Sequence, residues 1–455
     1  MNLTGIKRSI LSSCMAAAAF TSPLAPQVLA YEPSPEILQA REEFRDHGFG
    51  IFIHWGIYSM LGSGEWVLND PNIYHNEYKD LASGFYPSEF DAAAWVKAIK
   101  ASGAKYICIT TRHHDGFSMF ATKHSPYNIV DATPFKRDII KEIADECEKQ
   151  GIALHFYYSQ LDWGRPDYNP IGRTGHEPDR DTSEPWTNYL DFMDAQLTEL
   201  LTNYGKIGAI WYDGMWDRDE LPGGLEPSLW NLDHQYALIH SLQPSCLVGN
   251  NHHMTPFAGE DIQIFERDKP GENEAGLSGQ DVSALPLETC QTMNNSWGYR
   301  IRDNEYKSAN ELIQYLVGTA GRDANLLLNI GPRPDGSIPP QALERLAAIG
   351  EWMQTYAPTV QGVRGGPVAP QQWGVTTRRD NKLYVHVFDW DASVIFIPYA
   401  GNKLKVAKEY AGEPVKYTQI PEGIILTLSK TEESMPDRVY ELTFKNKIQS
   451  QTQVR

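Results

Sequence analysis

The chain has 455 residues, 41% of them hydrophobic and 22% charged, with 58 acidic side chains against 40 basic ones. That length suits one large domain with a smaller one beside it, and the composition is that of a globular protein. A formal net charge of -18 argues against nucleic-acid binding. Beyond the N-terminus no run approaches the ~20 apolar residues that a membrane span needs.

Taken in order, the chain opens with Lys7-Arg8, a weakly apolar run from Ser9 to Phe20, and Val28-Leu29-Ala30 before Tyr31. A positive region, an apolar region and a small-residue cleavage site read as a secretory signal. Residues 1–30 are therefore expected to be removed, leaving a secreted or periplasmic protein. Leu11-Ser12-Ser13-Cys14 imitates a lipoprotein site but follows Arg8 too soon to leave an apolar stretch before it. Cys108, Cys147, Cys246 and Cys290 then remain, too widely spaced for a zinc pattern and expected to be buried thiols.

A charged helix from Pro35 to His47 leads into a strand, Gly48 to Ile53, that ends in His54-Trp55. A loop carries Gly64-Glu65-Trp66. The spacing of Ala93, Trp95, Val96 and Ile99 predicts a helix over 92–102. The strand Ala104–Thr111 follows and ends in Arg112-His113-His114-Asp115-Gly116. Asp138 to Gln150 is helical again, Ile152 to Ser159 is a third strand containing Tyr157-Tyr158, and Trp186 to Tyr204 is a helix. Ile207 to Tyr212 is a short apolar run that ends in Asp213, with Gly214 and Trp216 just beyond. Four strand–loop–helix units without a dinucleotide glycine pattern indicate a parallel barrel. Less regular units follow: helix 234–242 with strand 246–250, strand 261–265, helix 310–319 with strand 325–330, and helix 340–356. After about Pro358 the segments 383–388, 393–398, 423–428 and 438–444 are short, alternating and rich in Val, Ile and Tyr. The expected fold is thus a (β/α)8-like barrel over residues 31–358, followed by an antiparallel β-sandwich over 359–455.

Successive strands end in His54-Trp55, His113-His114, Tyr157-Tyr158 and Asp213, at the edge where such barrels place their chemistry. Together they make a cup of hydrogen-bonding walls and aromatic faces suited to a polyhydroxylated ring. Asp213 among aromatics fits a nucleophile or charge stabiliser in sugar chemistry; the plainer reading is an Asp that caps the following turn. A metal site built from His113-His114-Asp115 and His252-His253 is the rival. Adjacent histidines on a strand point to opposite faces, so a pair could not grip one ion without a bulge. No metal and no other cofactor is expected.

The segments Phe49–Gly56, Gly64-Glu65-Trp66, Thr111–Phe117, Phe156–Ser159, Trp211–Gly214, Asn294–Tyr299 and Asn325–Pro332 together resemble the retaining α-L-fucosidases of glycoside hydrolase family 29. They run in family order over about residues 35–357. The resemblance implies that Asp213 is the nucleophile and that His54, Glu65, Trp66, His113, His114 and a tyrosine of the 157–158 pair, with Tyr158 preferred, bind the fucose hydroxyls. It also implies that Trp216 lines the pocket near the sugar's methyl group. The acid/base varies in position within the family. Glu260, Glu266, Glu272, Glu274 and Glu288 are candidates, and Glu266 is preferred because it ends a short apolar strand whose Phe265 would help raise its pKa. Glu288 could instead order the site from beneath. The implied partner is a fucosylated oligosaccharide or glycoconjugate. Two other readings remain: a binding protein on a degenerate barrel, and an exo-glycosidase for a related sugar such as α-L-galactose.

Overall fold

A computed structural model describes residues 31–176, 179–430 and 435–449, so the leader read at residues 1–30 lies outside the described residues. The first element is helix α1 (Pro35–His47), started by Ser34, whose hydroxyl accepts from Ile37 N, and by a proline in its first turn. It stops at Gly48, whose φ of +67° favours glycine. Strand β1 (Phe49–Ile53) follows directly and is buried along its whole length.

Seven further parallel strands join it: β2 (Tyr106–Arg112), β3 (Ala153–Ser159), β4 (Ala209–Asp213), β5 (Leu247–Asn250), β6 (Gln263–Glu266), β7 (Leu287–Thr292) and β8 (Ala324–Ile330). Their order is β5-β4-β3-β2-β1-β8-β7-β6, and a single parallel bridge between Gly249 and Ile262 nearly closes the ring. Both faces of these strands are covered, which is why they read as apolar runs. Short helix α2 (His75–Lys79) and helix α3 (Ala92–Ala101) stand between β1 and β2. Helices α4 (Ile139–Gln150), α5 (Trp186–Asn203) and α6 (Leu232–Leu242) follow β2, β3 and β4, while α7 (Ala309–Ala320) and α8 (Pro340–Val360) flank β8. Among the described residues no helix separates β5 from β6 or β6 from β7.

The strand alternation splits the core in two. Phe52, Tyr106, Cys108, Tyr157, Ala209, Trp211, Cys290 and Leu327 fill the barrel interior, stoppered at one end by Ile37 and Phe44 of α1. The residues between them, such as Ile51, Ile107, Phe156, Tyr158, Tyr212 and Leu328, face the surrounding helices. Strand β7 has no counterpart in the sequence reading because Glu288, Thr289, Gln291 and Thr292 break the apolar pattern. They are nonetheless buried, and Glu288 and Gln291 bond to Tyr106, Trp211 and the Arg267 carbonyl. The four cysteines are buried and unpaired, as expected.

Beyond α8, strands β9 (Arg364–Gly365), β10 (Gly374–Arg379), β11 (Lys382–Val387), β12 (Val394–Ile397), β13 (Leu404–Glu409), β14 (Tyr417–Ile420), β15 (Gly423–Thr427) and β16 (Arg438–Phe444) form two antiparallel sheets. One is ordered β13-β16-β11-β10-β9, the other β12-β15-β14. Leu383, Val385, Ile395, Ile397, Ile424, Leu426 and Leu442 are packed between them. Sequence patterning had located β11, β12, β15 and β16. The others lack that pattern: β9 is two residues long, β10 runs through Thr376-Thr377-Arg378-Arg379, and the outward positions of β13 and β14 are mostly polar. Among the described residues no helix is long and apolar enough to cross a membrane.

Candidate active site

Asp213 is the last residue of β4, and strand alternation aims it inward above Trp211 and Ala209. Its Oδ2 accepts from the Tyr157 hydroxyl at 2.8 Å, and its Oδ1 accepts from Trp216 Nε1 at 3.0 Å. Trp216 returns to Asp213 because Gly214 turns the chain at φ +108°, where a Cβ would lie 2.7 Å from Leu161. The plainer reading of Asp213 as a turn cap therefore fails: its carboxylate faces a cavity, not its own backbone.

That cavity, about 200 Å³, opens at the carboxyl edge of the barrel and brings together His54, Glu65, Trp66, His113, His114, Asp213, Trp216 and Glu266. His54 is held by Asn329 Oδ1 at 2.6 Å, and His114 by Ser159 Oγ at 2.7 Å. His113 stacks on Tyr157, with ring centroids 5.4 Å apart. Burial keeps all three imidazoles neutral: His54 is pushed down to about 3, and His113 and His114 well below the usual value. Neutral imidazoles offer both a donor and an acceptor, which suits hydroxyl groups. Glu65 accepts from Gly298 N at 2.7 Å, and burial raises its carboxyl. Trp66 and Trp216 lie nearly parallel at 5.6 Å and form one wall, with Trp66 at the exposed rim.

Two expectations are corrected. Tyr158 does not reach the cup: it shares the outward parity of Phe156, and its hydroxyl donates to Gln196 of α5 at 2.9 Å. The inward position expected of Tyr158 belongs to Tyr157. His113 and His114 both line the cup instead of facing opposite ways. Strand β2 ends at Arg112, with a register shift against β3 between Thr110 and Arg112, so simple alternation no longer applies to them.

The five candidate acids separate cleanly. Glu266, at the end of β6, is the one that lines the cavity. Glu288 lies in the closed barrel interior, where Tyr106 donates to it at 2.5 Å and Trp211 at 2.9 Å, and burial raises it to about 7. Glu260 is buried against His252 and Tyr236. Glu272 pairs with Lys269 and Arg322, and Glu274 is exposed.

The electrostatics of Glu266 run against the sequence reading. Burial does push its carboxyl upward, but His253, Asn251 and Arg267 outweigh that and hold it below the usual value. Asp213 is instead the raised member, at about 6, through burial and the facing charge of Glu266. Phe265 has no part in this, because it points to the outside of the strand, against Leu287 and Ala324.

Tyr157, Arg173, Trp211, Asn251, His253 and Trp297 also line the cavity, and the sequence reading gave none of them a settled role. Strand parity with Trp211 and Asp213 was a usable signal for Tyr157, since β3 and β4 pair Tyr157 with Trp211. Asn251 sits in a loop and carries no comparable signal, while His253 stands out in the sequence only as half of the His252-His253 pair of the metal reading.

Comparison with known proteins gives the family of the chain. A family model described as alpha-L-fucosidase matches residues 18–358. Plasma alpha-L-fucosidase of Rattus norvegicus is 30% identical over 445 residues, covering 88% of this chain and 91% of that protein. Alpha-L-fucosidase isoenzyme 1 from Paenibacillus thiaminolyticus superposes with a TM-score of 0.78 at 32% identity, covering 90% of this chain and all of that one. A GH29 alpha-L-fucosidase from Bacteroides thetaiotaomicron, solved as a trapped covalent intermediate with 2-fluoro-fucosyl fluoride in a Glu-to-Gln mutant, gives a TM-score of 0.78 at 26% identity over 91% of this chain and 97% of that one. The chain belongs to the alpha-L-fucosidase family of glycoside hydrolases, GH29.

Proposed function

We propose that this enzyme removes terminal α-L-fucose from fucosylated oligosaccharides or glycoconjugates with retention of anomeric configuration. One observation carries the stereochemistry. The amide nitrogen of Asn251 lies 3.4 Å from Asp213 Oδ1 and 2.9 Å from Glu266 Oε2, so these oxygens are no further apart than those two contacts laid end to end. An inverting pair needs roughly 6.5–9.5 Å to admit a water, whereas a retaining pair stands at about 5–5.5 Å.

In this reading Asp213 attacks C1 while Glu266 protonates the departing glycosidic oxygen. A fucosyl ester on Asp213 forms as the aglycone leaves. Water then enters, Glu266 takes its proton, and the hydroxide displaces Asp213 from C1 to release fucose. The carboxylate pair must hold one proton at the start, and it sits on Glu266 once the substrate's oxygen is in place. Tyr157 and Trp216 stabilise the ionised nucleophile. His54, Glu65, His113 and His114 hold the ring hydroxyls, and the Trp66–Trp216 wall lies against the sugar, with Trp216 near its methyl group. The cup closed below by Phe52 and Trp211 leaves room for a terminal residue only, which favours exo action. The leader at residues 1–30 supports export.

The test uses 2-fluoro-fucosyl fluoride, together with proton NMR of the first product from 4-nitrophenyl α-L-fucoside. A fucosyl adduct mapped to Asp213 and an initial α-product support the reading. An initial β-product, or an adduct elsewhere, overturns it.

A further inference from the structure

We infer that Asn251 and His253, on the loop after β5, are positioning residues that hold Glu266 for proton transfer; this rests on Glu266 being the acid/base. Two donors from one loop converge on the same oxygen. Asn251 Nδ2 meets Glu266 Oε2 at 2.9 Å, and His253 Nε2 meets it at 3.1 Å. The Asn251 nitrogen also reaches Asp213 Oδ1 at 3.4 Å, so a single amide spans both carboxylates.

The loop is built to keep these side chains in place. Asn251 N donates to the Tyr212 carbonyl at 2.9 Å, continuing the β4–β5 ladder by one residue. His252 points away from the cup and is locked by Glu260 at 3.0 Å, while its Nδ1 accepts from Met254 N. Between these anchors His253 adopts φ +63°, a conformation that a non-glycine residue holds only where its surroundings impose it. That turn directs its ring at Glu266. The anchored loop after β5 thus fixes a carboxylate carried by β6, although no helix joins the two strands.

A carboxyl group held this way transfers its proton along a fixed line, and misplacement by about 1 Å costs on the order of a hundredfold. The experiment measures kcat/KM for Asn251→Ala, His253→Ala, His253→Gln and Glu266→Gln with two substrates. Methyl α-L-fucoside requires protonation of its leaving oxygen, whereas 2,4-dinitrophenyl α-L-fucoside departs without it. Asn251→Ala and His253→Ala are expected to lose about 10²-fold more on the methyl glycoside than on the activated one, and Asn251→Ala also loses some activity on both because it removes a donor from Asp213. His253→Gln, which keeps a donor, is expected to recover most of the loss. Retained turnover of the activated substrate also shows that each variant is folded.

Equal losses on both substrates, or none on either, overturn the inference. Failure of the underlying assignment has a separate signature: Glu266→Gln would then lack the leaving-group dependence itself. If Glu266→Gln shows that dependence and the loop variants do not, Glu266 is the acid/base and the loop does not position it.

Discussion

The Tyr157 hydroxyl donates to Asp213 Oδ2 at 2.8 Å across adjacent strands, while its chain neighbour Tyr158 donates to Gln196 at 2.9 Å on the opposite side of the sheet. The two phenols are one residue apart, and the barrel wall stands between them.

Substituting each in turn separates their roles. A hydrogen bond to a charged group contributes about 1.5–3 kcal/mol, so Tyr157→Phe should lower kcat/KM by about 10–100-fold. Tyr158→Phe should leave kcat/KM nearly unchanged and cost about 1 kcal/mol of stability. Steady-state kinetics and denaturant melts of both variants decide it, and the reverse pattern would return the role to Tyr158.

The proton shared by the carboxylates sets a pH dependence. Asp213, raised to about 6, marks where the free pair gives up its proton as pH increases. Catalysis needs one proton in the pair, so kcat/KM should fall as pH rises through about 6. A profile flat from pH 5 to 8 would show that the proton comes from elsewhere.

The same shift has a stability consequence. A carboxyl raised in the folded state binds its proton more tightly there than in the unfolded chain, so stability is lost as pH rises from about 4 through about 6. Asp213→Asn removes the ionisation, and should therefore melt higher than the parent at pH 7 and close to it at pH 4. Calorimetry at both values reads this directly.

Glu288 obeys the same sign at a different place. Buried beneath the cup and raised to about 7, it should destabilise the fold as pH rises from about 4.5 through about 7. Glu288→Gln keeps an acceptor for Trp211 and should flatten that slope, with kcat/KM lowered far less than by Glu266→Gln. Equal loss of activity in the two variants would place Glu288 in the chemistry.

Gly214 carries a geometric prediction. At φ +108° and 2.7 Å from Leu161, an added methyl group must move the turn that returns Trp216 to Asp213. The positive φ alone costs about 1–2 kcal/mol for alanine. Gly214→Ala should therefore lower both melting temperature and kcat/KM, with the Trp216 indole displaced in a crystal structure of the variant.

The sequence by itself determined the barrel, the sandwich after it, and a cup assembled at strand ends around Asp213. Those features rest on local signals: apolar runs bounded by glycines, helical spacing, and motifs at each strand's carboxyl end. Which of two neighbouring tyrosines turns inward depends on strand parity, and whether two adjacent histidines share a face depends on where β2 breaks register. Strand β7 shows no apolar run because its buried polar groups find partners on β2 and β4, far away in sequence, and at Arg267 just after β6. Glu266 is preferred over Glu288 from the sequence already, but the physical reason for that preference comes from the ring. The ring buries Glu288 beneath Tyr106 and Trp211, one layer below Asp213, and brings the half-buried Glu266 level with Asp213 at the cavity. The charge on Glu266 was also beyond sequence, since His253 and Asn251 reach it only where the ends of β5 and β6 meet. Local pattern selects which residues stand at an edge, while closure of the barrel decides which of them touch.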